Sequence, residues 1–270
     1  MDSGEPSERH SVDTSVPHPA RRYNYWLGGK DHFAVDRESG DEFVRRFPSV
    51  RTGARANRAM LQRAVRYLAA EAGIRQFLDV GTGLPTADNT HEVAQRIAPE
   101  SRVVYVDNDP LVMTHARALL TSTDEGATAY LEADLRDPDK ILAQAEQTLD
   151  LSRPVALILV AVLHFIPGRG AARPLVSALL DALPSGSYLA VTHATLDFAP
   201  PEFQEMHEQM RRSGKSDVWT RDRAEFVSLL DGLVPVEPGV VPVSEWRPDA
   251  GAEIPPRQDV AIWGAVARKP

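Results

Sequence analysis

The segment Asp79-Val80-Gly81-Thr82-Gly83-Leu84-Pro85-Thr86 holds two glycines one residue apart, directly after the short apolar run Gln76–Val80. Glycine carries no Cβ, so such a pair lets the backbone turn tightly and come against a ligand. In an open α/β sheet the turn lies at the carboxyl ends of the strands, where ligands bind. The start of the following helix would add unpaired N–H groups suited to a carboxylate. The dinucleotide fingerprint G-x-G-x-x-G is incomplete, because Thr86 stands at the third glycine position. That glycine allows close helix packing near a pyrophosphate, so its absence weakens an NAD reading. Taken alone, these residues favour a nucleoside-like ligand over a tight βα turn that binds nothing.

Three acids sharpen the reading. Val103–Val106 ends in Asp107, about two dozen residues after the glycines, where a carboxylate can take both ribose hydroxyls and disfavours a 2′-phosphate. Asp109 precedes Pro110 and is better explained as a helix N-cap. Asp134-Leu135 follows a third strand. An Asp there can accept from an adenine amino group, with the adjacent backbone N–H donating to the ring; a solvated turn acid is the plainer alternative.

The elements that must position these residues alternate. Apolar spacing over Ala54–Ala70 puts Ala56, Met60, Ala64, Tyr67 and Leu68 on roughly one helical face. Thr90–Ile97 reads as a helix with Asn89 and Glu92 in capping-box spacing. Strands are expected at Gln76–Val80, Val103–Val106, Ala127–Glu132, Val155–Leu163 and Tyr188–Thr192, with helices to Leu120, to Leu149 and over Ala171–Ala182 between them. Unbroken apolar strands in βαβ order imply a parallel sheet covered on both faces. Helices follow over Phe203–Arg212 and from an N-cap at Thr220 to a stop at Gly232. Leu233–Val236 and Val260–Ala267 read as closing strands, joined by a long Pro-rich connection through Trp246 that is expected to be functional or mobile. Residues 1–19 read as a mobile tail, 20–72 as an N-terminal helical lid or extension, and 73–270 as the α/β domain.

Composition narrows the chemistry. The chain has 270 residues, a net charge of −8 and no cysteine, which excludes disulfides, zinc–thiolate sites and cysteine nucleophiles. The acidic balance gives no strong sign of nucleic-acid binding, and no stretch of about 18 apolar residues suggests a membrane span. The first residues are polar, unlike a signal peptide, so the cytoplasm is expected. No metal site is expected: His91-Glu92 opens like H-E-x-x-H, but Gln95 stands at the second ligand position. His164 follows the apolar fourth strand and is the candidate general base, against a strand-end histidine bonded to backbone. Tyr23, Tyr25 and Trp26 read as an aromatic wall that would attract a ligand cation or as ordinary core.

FLDVGTG, VVYVDNDPLVMTHAR and EADLRDP resemble the cofactor-binding segments of class I S-adenosylmethionine-dependent methyltransferases. More narrowly, ARRYNYWLGGKDHFAVDRE, DVGTGLPTADNTHEVAQ, YVDNDP, VLHFIP and GAVARKP resemble an S-adenosyl methyltransferase family of uncharacterised substrate found mainly in actinomycetes. The resemblance implies a Rossmann-like class I fold, with a seven-stranded, mostly parallel sheet whose last strand is antiparallel. It implies that Gly81, Thr82, Gly83 and Leu84 wrap the methionine and ribose of S-adenosyl-L-methionine. Asp79 would sit near its amino group, Asp107 on the ribose with Asn108 beside it, and Asp134 with Leu135 at the adenine. The segment from Tyr23 to Lys30 would cover the site, with Gly28-Gly29 as its hinge; Asn24 and His32 depart from the family's usual Asp and Asn. The acceptor is expected to be a small molecule. A protein that binds the cofactor without transferring methyl groups is the alternative.

Overall fold

The computed structural model describes residues 13–119, 121–214 and 216–270; most of the expected tail therefore lies outside the described residues. Three helices come first: α1 (Pro19–Leu27), α2 (Ala34–Arg46) and α3 (Val50–Ala70). The alternating unit follows as β1 (Gln76–Val80), α4 (Thr90–Ile97), β2 (Arg102–Asp107), α5 (Pro110–Leu119), β3 (Ala127–Glu132), α6 (Pro138–Ala145), β4 (Ala156–Leu159), α7 (Ala172–Asp181) and β5 (Tyr188–Ala194). The chain closes with α8 (Pro201–Arg212), α9 (Arg223–Ser228), β6 (Val234–Pro235), β7 (Val241–Pro242), α10 (Arg257–Val260) and β8 (Ile262–Arg268).

The sheet order is β3-β2-β1-β4-β5-β8-β6. Strands β1 to β5 pair in parallel, and β8 runs antiparallel to β5, β6 and β7. Side chains alternate between two cores. Leu78, Val104, Leu157 and Leu189 pack on one face with Ile141, Val176 and Phe226. Phe77, Val103, Ile158 and Ala190 pack on the other with Met60, Leu68 and Trp246. Both faces are covered, which is why these strands read as apolar throughout. The capping box at Asn89 and Glu92 forms as expected. Among the described residues, no helix is long and apolar enough to cross a membrane.

Four local expectations are corrected. The apolar run after Val155 does not stay extended: β4 ends at Leu159, Ala161 takes φ 57°, and Leu163–Phe165 forms a 3-10 turn. Leu163 is fully buried, so the apolar pattern outlasts the strand. Helix α9 is capped by Asp222, whose side chain accepts from the Glu225 N–H, and not by Thr220. The sheet gains an eighth, two-residue strand, β7, within the Pro-rich connection, too short to leave a periodic signal. That connection is packed rather than loose. Trp246 is fully buried, and Arg63 donates to the Val243 and Trp246 carbonyls at 2.7 and 2.9 Å.

Candidate functional site

The glycine turn is shaped by what surrounds it. Gly81 (φ 77°) donates to the Val106 carbonyl at 2.8 Å, and a Cβ there would stand 2.3 Å from Val162. Gly83 (φ 69°) faces open space and donates to Asp107 Oδ2 at 2.8 Å. The Thr82 hydroxyl donates to the Asp79 carbonyl at 2.9 Å. Left-handed backbone at both glycines is tolerated because neither carries a Cβ.

A cavity of about 810 Å³ opens at the carboxyl ends of β1 to β5. Of the residues expected at the cofactor, Tyr23, Asp79, Gly81, Thr82, Gly83, Asp107, Asn108, Asp134 and Leu135 all line it, as does His164. Leu84 does not. Its side chain is buried against Val112 and Met113 behind the turn. The first turn of α4 also stays away from the cavity, because the capping box and the bond from the His91 N–H to the Tyr105 hydroxyl occupy its donors. The expected carboxylate contact at that helix start is therefore not offered.

Two carboxylates dominate the cavity floor. Asp79 is 5% exposed and accepts the Thr90 hydroxyl at 2.6 Å; burial pushes its pKa up to about 6. Asp107 is 6% exposed and accepts from Gly83 and Asp109 N–H groups, at 2.8 and 3.0 Å; burial raises its pKa as well. Neither has an ion-pair partner among the described residues. A carboxylate has about four lone-pair sites, so each keeps acceptor capacity for a ligand. Beyond them Asp134 is held by Arg136 at 3.0 Å and receives a bond from Asn108 Nδ2 at 3.3 Å.

Asp109 caps α5 through the Leu111 N–H at 2.9 Å, as the Asp-Pro pair suggested, and also receives Arg21 Nε at 3.2 Å. The second tie of α1 is the Arg22–Asp217 ion pair, so this helix is fixed at two points on the cavity rim. Tyr23 donates to the Ala54 carbonyl and accepts from Asn57 Nδ2, both at 3.0 Å, which fastens α1 to α3. Trp26 lines the cavity, whereas Tyr25 turns outward to Asp41 at 2.7 Å. The Gly28-Gly29 pair caps α1: Gly28 has φ 85°, and a Cβ on Gly29 would stand 2.4 Å from the Asn24 amide.

His164 sits on the turn after β4, and burial pulls its pKa down to about 4. Its Nδ1 is buried without a hydrogen-bond partner. Fully buried Arg221 holds this turn by donating to the Leu163, Ile166 and Gly168 carbonyls at 3.1, 2.9 and 3.1 Å. Sequence spacing gave no sign of Arg221, nor of Phe43, Phe47, Phe203 and His207, which also line the cavity. The local traces are the i, i+4 pairs Phe43–Phe47 at the end of α2 and Phe203–His207 on α8.

The sequence model of a family described as S-adenosyl methyltransferase matches residues 5–270. The chain belongs to this S-adenosyl methyltransferase family. Two solved structures are similar over nearly the whole chain. A DUF574 family protein from Streptomyces avermitilis MA-4680 is 49% identical with a TM-score of 0.90, covering 96% of this chain and 100% of its own. A protein from Thermobifida fusca YX, assigned to the methyltransferases, is 41% identical with a TM-score of 0.85, covering 95% and 96%. An O-methyltransferase family protein from Burkholderia thailandensis, 15% identical with a TM-score of 0.51 over 82% of this chain and 60% of its own, shares the fold alone. The comparison with curated proteins gave no match. The chain is thus an S-adenosylmethionine-dependent methyltransferase on the Rossmann-like class I fold expected from its motifs. In this methyltransferase the glycine turn and the three acids stand at one end of a single cavity, with His164 in the wall.

Proposed function

We propose that S-adenosyl-L-methionine lies along the carboxyl ends of β1, β2 and β3, and that a small molecule enters the rest of the cavity as methyl acceptor. The observation that carries this reading is the pair of buried carboxylates beside an open glycine turn, neither held in an ion pair among the described residues. Asp79 suits a ligand ammonium group. Asp107 has lone pairs left for a ribose diol, with Asn108 beside it. Asp134 and Leu135 suit the adenine edge, while Gly81, Thr82 and Gly83 line the path between. Leu84 acts from behind, by packing the turn, and Tyr23 by holding α1 as a cover. When bound, the cofactor supplies an electrophilic methyl group on a sulfonium sulfur.

The chain's own contribution is positioning and proton removal. Holding two reactants in line can supply roughly 7–11 kcal/mol of a barrier. His164 is neutral near pH 7, because burial holds its pKa down, so its lone pair is available. A weak base suffices there, since an acceptor hydroxyl becomes strongly acidic as its oxygen gains the methyl group. We place the enzyme in the cytoplasm, which suits a cysteine-free chain using an intracellular methyl donor.

Calorimetric titration of Asp107→Ala with S-adenosylmethionine tests the donor site. Loss of charge-assisted hydrogen bonds worth about 1.5–3 kcal/mol should weaken binding roughly ten- to hundredfold in a folded protein. Unchanged affinity in that variant would remove Asp107 from the site.

A further inference from the structure

The cavity continues past the glycine turn into a chamber whose walls are mainly rings. Trp26 and Phe43 have centroids 5.2 Å apart, and Phe43 and Phe47 5.0 Å. Phe47 in turn meets Phe203 at 6.0 Å and His207 at 6.1 Å. These are ordinary aromatic packing distances, so the rings form one continuous surface. It is assembled from α1, α2, the link to α3, and α8. The cavity's volume of about 810 Å³ is high in the range of roughly 300–1,000 Å³ typical of small-molecule sites, leaving space beside a nucleoside.

The polar groups in this wall are few. Arg22 and Asp217 neutralise one another as an ion pair, and half-buried Asp259 adds a negative charge. Among the described residues of this wall no cation lacks an ion pair, although Arg22 Nε is an unpartnered donor; Arg58, which lines the cavity with no ion pair, acts on Asp79 at the donor end. His207 is 4% exposed, hydrogen-bonds the Val218 backbone and leaves Nε2 without a partner. Burial also keeps this ring neutral, and a neutral imidazole that donates from one nitrogen accepts at the other. An unsatisfied buried acceptor of this kind costs free energy until a ligand donor meets it.

We propose that the chamber seats a neutral, ring-bearing acceptor with phenolic hydroxyls, one placed toward His164 and a second read by His207, a specificity-determining residue. The proposal rests on the donor-site reading above. In the reaction the phenolic oxygen forms the new O–CH3 bond while the S–CH3 bond of the donor breaks, its electron pair remaining on sulfur. The hydroxyl proton passes to His164, and the products are a methyl ether and S-adenosylhomocysteine. Asp259 disfavours a carboxylate on the same ring system.

Binding to the full-length enzyme saturated with S-adenosylhomocysteine tests this, with 2,7-dihydroxynaphthalene, 2-naphthol and 6-hydroxy-2-naphthoate as probes. The diol should bind about three- to tenfold more tightly than 2-naphthol, the range one hydrogen bond gives. The carboxylate should bind weakest. His207→Phe keeps a ring on the wall and should erase the preference for the diol, so that the diol and 2-naphthol bind the variant equally, which a general packing defect would not do. S-adenosylhomocysteine binding with no saturable binding of either neutral probe would overturn the acceptor class and leave the donor site standing. Tightest binding of the carboxylate, or a diol preference that survives in His207→Phe, would also overturn the proposal. Failure to bind S-adenosylhomocysteine would overturn the donor reading itself and the proposal with it.

Discussion

Arg21 Nε donates to Asp109 Oδ2 at 3.2 Å, an ion pair whose two side chains are 5% and 3% exposed and whose residues lie 88 positions apart. It fastens α1 to the start of α5, and so gives Asp109 a task quite different from that of Asp107 two residues earlier. Asp107 faces the cavity with spare lone pairs; Asp109 is consumed by structure.

Asp109→Ala should therefore cost more than a lost helix cap. A cap alone is worth about 1 kcal/mol. Leaving buried Arg21 with Asp36, at 3.8 Å, as its one carboxylate among the described residues should raise the loss toward about 3–5 kcal/mol. Urea denaturation measures it, and the double variant Arg21→Met, Asp109→Leu should recover much of the loss. A deficit of only the cap's size would show that the ion pair adds nothing.

The two turn glycines should separate on substitution. Gly83→Ala meets no neighbouring atom, so its cost is backbone strain of about 1–2 kcal/mol. Gly81→Ala carries the same strain and also drives a methyl group into Val162. Val162 precedes His164 by two residues, so Gly81→Ala should lower both melting temperature and turnover further than Gly83→Ala. Adding Val162→Ala should restore part of the difference. Equal melting temperatures for the two glycine variants would contradict the close contact.

The sheet was legible in the sequence because its strands are buried on both faces and the capping residues at Asn89 and Glu92 lie close together. The donor end of the cavity was legible for a related reason: Asp79, the glycines, Asp107 and Asp134 each lie at or just past the carboxyl end of a strand. The acceptor end was not. Trp26, the pair Phe43 and Phe47, and the pair Phe203 and His207 come from three separate stretches, and nothing in local spacing says that the three meet. The same holds for Arg221, whose partners on the turn after β4 lie more than fifty residues away. Where sequence reasoning slipped, local signals competed: Thr220 and Asp222 are both good caps, and only the register of α9 chooses Asp222.

Arg221→Lys should impair the turn that carries His164. The guanidinium serves three carbonyls, His193 Nε2 and Glu225 at once, and a single ammonium cannot span that fork. Turnover should fall while S-adenosylmethionine affinity changes little, because none of the donor-site carboxylates touches Arg221. Steady-state kinetics beside a calorimetric titration separates the two; equal losses in both would indicate general unfolding.

Asp79 gives a pH dependence whose sign can be worked out. Its pKa rises from 3.8 in the unfolded chain to about 6 in the folded protein, because burial penalises the charged carboxylate. Between those values the folded state holds a proton that the unfolded state has released. The stability contributed by Asp79 is therefore greatest at low pH, falls as pH rises through about 4 to 6, and stays low above that. A gap of roughly two pH units corresponds to a contribution on the order of 3 kcal/mol. His164 and His193 act in the opposite direction, since burial lowers their pKa values and stability is lost as pH falls below 6.5. The Asp79 share is read from the difference between the wild-type protein and Asp79→Asn, melted at pH 5 and pH 7. The variant should gain stability relative to wild type at pH 7 and about half as much at pH 5. Ligand binding should run the other way. A ligand ammonium group favours the ionised carboxylate, so wild-type affinity for S-adenosylmethionine should rise between pH 5 and 7 and then level off. Asp79→Asn should bind more weakly at pH 7 with a flat profile over that interval. If calorimetric affinities of the two proteins changed in parallel with pH, Asp79 would not be the group that meets the amino end of the cofactor.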